Sequence, residues 1–155
     1  MKKAALLLGL AACGSAPQEA AGAGGWDVTH TTLADAHGGR CEPTDLPDGR
    51  KGTWCFLMPS LSLDGQTAQV DLYFGGTTPD AALIEIQLKV LQCKIDQAES
   101  WTATRFGNPV EHEGDRYYHQ NRYVLAAVVP DGARCLVRVL PVSERAELER
   151  IKKAS

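Results

Sequence analysis

The sequence predicts an α+β fold: a small antiparallel sheet packed with short helices, in two tandem helix-plus-hairpin units braced by disulfides. Three observations carry this. "ALIEIQLKV" (82–90) alternates apolar and polar residues, the pattern of a strand with one buried and one wet face. "IDQAESWTATRFGNP" (95–109) holds a helix start and a helix stop. Four cysteines, Cys41, Cys55, Cys93 and Cys135, lie spread through the region after residue 26, an even number that suits two disulfides in an exported domain.

The elements follow in order. "THTTLADAH" (29–37) reads as a short helix capped by Thr29 or Thr31 and ended by Gly38-Gly39. "CEPTDLPDGRKG" is turn-rich, and "TWCFLMPSLSL" is extended, with Pro59 marking an edge or bend. After an Asp64-Gly65 turn, "TAQVDLYFGG" sets Ala68, Val70, Leu72 and Phe74 on one face. Gln69, Asp71 and Tyr73 take the other. In the next strand Ile84, Ile86, Leu88 and Val90 face the core against Glu85, Gln87 and Lys89, and Leu91 breaks the phase.

Asp96 suits a helix N-cap with Glu99 at capping-box spacing, and Gly107-Asn108-Pro109 ends that helix. "DRYYHQNRYVLAAVV" gives strands around a Gln120-Asn121 turn, or one long irregular strand. Pro130-Asp131-Gly132 turns the chain into "ARCLVRVLP". Ser143 then caps a charged helix over 143–154, whose acids come first and whose lysines come last, matching the helix dipole. Leu148 and Ile151 are its only strong apolar residues, so it is expected to fray.

The domain organisation starts at the N-terminus. Met1-Lys2-Lys3 precedes an apolar run from Ala4 to Ala12, the pattern of a signal peptide over 1–12. The run is shorter than the roughly 20 residues that cross a bilayer as a helix. Leu10-Ala11-Ala12-Cys13 resembles the lipobox of bacterial lipoproteins. That resemblance implies acylation of Cys13 (palmitate or a similar chain) and a membrane anchor. Ser15, where an inner-membrane retention signal would place Asp, implies the outer membrane, facing the periplasm. Residues 13–25 are small and polar and read as a lipidated flexible tether, so a single domain is expected over 26–155.

The order helix, Gly-containing stop, polar loop, aromatic strand and Asp-Gly turn occurs twice, suggesting repeat units 26–91 and 92–142. Four cysteines allow three pairings. Cys41 with Cys55 and Cys93 with Cys135 is preferred, because each pair falls within one half. This plan resembles the exported repeat domain of beta-lactamase inhibitory proteins and of small outer-membrane assembly lipoproteins. The match lies over 101–119 and more loosely over 33–56, with "RFGNP" as helix stop and "RYYH" as first strand. It implies binding of other proteins through a sheet or its loops.

Charge and motifs narrow the function. Once Lys2 and Lys3 leave with the leader, 14 basic residues face 19 acidic ones, a net of −5. The arginines at 105, 116, 122, 134 and 138 form no basic stripe, so no nucleic-acid partner is expected. There is no Gly-x-Ser-x-Gly and no phosphate-binding glycine loop. His112, Asp115 and His119 match no recognised metal spacing, and no metal or cofactor is expected. The chain thus reads as a non-enzymatic, membrane-anchored periplasmic lipoprotein. Its partners would be the bilayer, through the acyl anchor, and an envelope protein. A periplasmic small-ligand-binding or enzymatic domain is the alternative. Tyr73, Tyr117 and Tyr118 are the candidate interaction surface, since tyrosine is a favoured interface anchor and adjacent strand residues point to opposite faces.

Overall fold

The computed structural model describes residues 19–154. The leader, Cys13 and the first part of the tether lie outside them. The elements are β1 (Gly22–Ala23), β2 (Trp26–Asp27), a 3-10 turn (Leu33–Asp35), β3 (Arg40–Asp45), β4 (Lys51–Leu63), β5 (Gln66–Phe74) and β6 (Leu83–Val90). Then come α1 (Ile95–Phe106), β7 (Glu111–Glu113), β8 (Arg116–Gln120), β9 (Val124–Asp131), β10 (Arg134–Pro141), a 3-10 turn (Val142–Glu144) and α2 (Arg145–Lys153).

Strands β3 to β10 form one antiparallel eight-stranded sheet in the order β3-β4-β5-β6-β10-β9-β8-β7. About half of the described chain is strand and a fifth helix. The expectation of an α+β protein with a small sheet is therefore corrected: the fold is mostly β. Each half contributes four sequential strands instead of a hairpin, and the two meanders join where β6 pairs with β10.

The sequence understated the sheet for a physical reason. The two outermost strands, β3 and β7, are exposed along nearly their whole length, so they carry no alternation. Their charges and Pro43 are tolerated at an edge, and they blunt it against pairing with another chain. β9 fails the alternation test in the opposite way, because Val124 to Val129 are all buried.

Both sheet faces carry cores. On one face Val70, Leu72, Phe74, Ile86, Leu88, Val137 and Val139 pack with Ala98 and Phe106 of α1 and with Ala23 and Val28. On the other, Leu148 and Ile151 of α2 pack on Tyr118, Leu125, Ala127, Val129 and Leu140. The expected fraying C-terminal segment is thus a docked helix. A bulge opposite Phe74 lets Leu83 take the core position, and Ile84, expected inward, turns to the opposite face.

Local signals moved by small steps. The expected helix over 29–37 contracts to one 3-10 turn, in which Thr32 N–H donates to Asp35 Oδ2 at 2.8 Å. Lys94, not Asp96, is the N-cap of α1, and its N–H donates to Gln66 Oε1 at 2.8 Å. Gly107 ends α1 as expected, but with φ of 97° and ψ of 165°, an extended positive-φ conformation open to glycine and not the left-handed helical one.

The expected flexible tether does not extend to Gly25. Ala23 is fully buried, and Ala21 O accepts Val28 N–H at 2.9 Å. A Cβ at Gly22 would stand 1.9 Å from Trp26 O, so its smallness serves close packing of β1 on β2. The fold has begun by Glu19.

Two disulfides brace the sheet. Cys41 and Cys55 face each other across β3 and β4 with Cα atoms 4.0 Å apart. Cys93 and Cys135 tie the end of the first meander to β10 across a Cα separation of 5.4 Å. Leu148→Ala should cost about 2–5 kcal/mol, the range for a buried leucine truncated to alanine. Urea unfolding measures the loss, and amide exchange in α2 should accelerate.

Candidate functional site

The polar residues of β5 and β6 were expected to face water. The structure makes them a partly covered floor. α2 packs on β9 and β10, while the same side of β4 to β6 carries Trp54, Asp71, Tyr73, Gln87 and Lys89. Between α2 and the β3–β4 loop this floor opens into a cleft of about 430 Å³. Tyr73, Glu85, Gln87 and Arg138 form its base, Leu46 and Arg50 one wall, and Glu144, Glu147 and Arg150 the other.

The base is organised by charge. Arg138 Nε donates to Glu85 Oε1 at 2.6 Å and its Nη2 to Glu85 Oε2 at 2.9 Å. The same Nη2 reaches Glu147 Oε1 on α2 at 3.0 Å. Gln87 Nε2 donates to Glu85 Oε2 at 3.0 Å. Glu85 is only 5% exposed. Burial pushes its carboxyl up, opposed by the Arg138 charge and the Gln87 and Arg138 hydrogen bonds, and the net direction is upward. Burial also pushes Glu147 up, but hydrogen bonding to Arg150 and the charges of Arg138 and Arg150 outweigh it and hold this carboxyl low.

The wall is tied across by Arg50, which donates from Nη2 to Glu144 Oε2 at 2.9 Å and from Nε to Asp48 Oδ2 at 2.6 Å. Tyr73 is half-buried, and burial, with Asp71 and Glu85 nearby, pushes its hydroxyl up to about 12. It is a neutral donor at physiological pH. Beside it Trp54 Nε1 donates to Asp71 Oδ2 at 2.9 Å, as Lys89 Nζ does at 2.7 Å. The Trp54 ring stacks on Phe56 at 4.4 Å, and Arg40 lies 5.8 Å from the Phe56 ring centre.

The three candidate tyrosines do not form one surface. Tyr73 lines the cleft. Tyr117 lies on the α1 face, half-buried, with its ring stacked on His112 at 4.3 Å. Tyr118 is buried beneath α2, with the Lys152 ammonium 5.0 Å from its ring centre. Its place in an interaction surface is corrected: α2, expected to fray, supplies the layer that covers it. Arg138, Glu85 and Arg50 were not singled out from sequence. The available signal was one arginine inside the apolar run "CLVRVL", which demands a buried partner.

His112 and His119 are engaged separately. His112 Nε2 lies 2.6 Å from Gly114 O. His119 is 1% exposed, its Nδ1 is 2.8 Å from Gly107 O, and its Nε2 stands 3.8 Å from Glu99 Oε1 with no hydrogen-bond partner. Among the described residues no cluster of His, Cys, Asp and Glu is arranged to hold a metal ion, and no helix is long and apolar enough to cross a membrane. No family model, curated protein or solved structure matches the chain.

Two outcomes follow from these charges. Arg138→Met should cost about 3–5 kcal/mol, because it leaves Glu85 buried and unpaired, and adding Glu85→Leu should recover most of the loss. Chemical denaturation of the two variants checks this. Burial lowers the proton affinity of His119 below its ordinary value, despite the Gly107 carbonyl and Glu99. The unfolded chain therefore binds this proton first as pH falls. The contribution of His119 is fully present above about pH 6.5 and is lost as pH falls from there through its lowered folded value. His119→Gln should flatten the melting temperature against pH across that window.

Proposed function

We propose that the chain is an exported lipoprotein, anchored through Cys13, that binds an envelope protein over the uncovered half of its sheet. The observation that carries the binding mode is the asymmetry of coverage: between the edge strands one face is closed, while the other is closed over β8 to β10 and open over β4 to β6. The open half offers Trp54, Phe56 and Tyr73, side chains of the kind that anchor interfaces. The blunted edges β3 and β7 favour docking on the face over addition of a strand. A sheet presenting a binding face is also what the resemblance to beta-lactamase inhibitory proteins implies. The leader and Ser15 support placement on the outer membrane, facing the periplasm.

In this reading the charged groups organise and do not react. Arg138, Glu85 and Glu147 satisfy one another, and Tyr73 keeps its proton. A second reading has its own observation. The cleft converges Tyr73, Gln87 and Arg50 on a volume within the range of small-ligand sites.

A photo-reactive amino acid at positions 54, 73 or 97, introduced in cells, separates the two. One partner captured from 54 and 73 and absent from 97, on the exposed side of α1, supports face docking. The same partner should be lost from position 73 when Trp54→Ala is added. Capture nowhere, with a small molecule retained in native mass spectra and released by Tyr73→Ala, moves the function to the cleft.

A further inference from the structure

We infer that the sheet end holding the β8–β9 turn and the β10–α2 junction lies against the bilayer, with Tyr123 and Val142 at the lipid interface. The inference rests on the proposed acylation of Cys13. It begins with where the chain leaves the fold. Glu19 Oε2 accepts Arg122 N–H at 2.9 Å, and Ala20 O accepts Asn121 Nδ2 at 2.8 Å. The segment leading back to Cys13 therefore departs from the β8–β9 turn. That turn is itself fixed, because Asn121 Oδ1 accepts the N–H groups of Tyr123 and Val124 at 2.8 and 2.9 Å.

Six residue steps separate Cys13 from Glu19, and at full extension they span at most about 20 Å. From Val124, where β9 starts, to Gly132 eight residue steps cover about 26 Å at the rise of a strand. The tether therefore holds Glu19 within about 20 Å of the bilayer, and the sheet cannot stand upright on its opposite end, at Gly132, while Cys13 stays in the membrane. A tether reaching to Gly25 would have permitted that inversion; the packing of residues 19–25 removes it.

The end held near the membrane has a matching surface. Tyr123 and Val142 are 36% and 41% exposed, two of five large hydrophobic residues so exposed among those described. Val142 N–H donates to Tyr123 O at 3.2 Å, so the two are neighbours. Arg122 lies 5.5 Å from the Tyr123 ring centre, and exposed Arg145 donates to Gln120 Oε1 at 3.1 Å. Tyrosine favours the membrane interface, and arginine beside it reaches lipid phosphates.

The test uses the full chain in its native membrane, with p-benzoylphenylalanine at position 123 or at 133, in the turn at the opposite end. Irradiation should yield a phospholipid adduct at 123 and none at 133. Intact mass of the same samples reads the acyl groups on Cys13. An acylated chain with equal lipid adducts at both positions, or with only protein adducts at 123, overturns the apposition and leaves the anchor standing. A chain without acyl groups overturns both. Inserting twelve Gly and Ser residues after Ala16 should erase the difference between the positions. A difference that persists overturns the role given to tether length.

Discussion

The pairing of β6 with β10 holds the molecule together. Each meander is a four-stranded sheet with two edges, and only this seam makes one sheet of them. The seam is apolar on one side, where Ile86, Leu88, Val137 and Val139 meet the α1 core. On the other side it is ionic, and Arg138 reaches Glu85 across the seam and Glu147 on α2. A buried charge network adds little net stability compared with apolar packing, but breaking one partner is costly. Such a network penalises wrong alignments. Slipping β10 by one residue would send Arg138 into the α1 core and Val137 or Val139 onto Glu85. The seam thus fixes register, and register fixes where α2 lands.

Where α2 lands determines what remains open. It is a nine-residue helix, too short to cover an eight-stranded sheet, and Leu148 and Ile151 hold it over the second meander. The first meander keeps one side uncovered. Asp71 and Glu85 are nonetheless buried there, because Trp54, Lys89 and Arg138 close over them. The open half is a set of paired charges with aromatic rings between them. Its aromatic rings suit the centre of the proposed interface.

The sequence revealed what depends on alternation and pairing. β5 and β6 were legible because each has one closed face, and the disulfide pairs were legible because each spans one half. β3 and β7 were not, since edge strands exposed on both sides look like loops. Ile84 was misplaced because a bulge shifts the phase without any glycine or proline to mark it. Residues 19–25 looked like a linker because small residues bury little side chain. Their structure comes from backbone hydrogen bonds and close approach, which composition does not report. The cleft was the least legible feature: Arg50 and Glu144 lie 94 residues apart and meet only through the fold.

The shortened tether and the uncovered half-face constrain each other. The strands run from the end near Glu19 to the end near Gly132. With the first end at the bilayer, as inferred from the proposed anchor, they would stand away from it, and both faces of the sheet would point sideways. The open half of β4 to β6 would then look along the membrane plane. A partner docking there would meet the domain edge-on to the bilayer, and the proposed envelope partner would be reached without stretching the tether. A long leash would let the face sample all directions at low effective concentration. Under the proposed anchor a short one would commit it to neighbours in the same membrane, and the packing of Gly22 and Ala23 against β2 would be what shortens it.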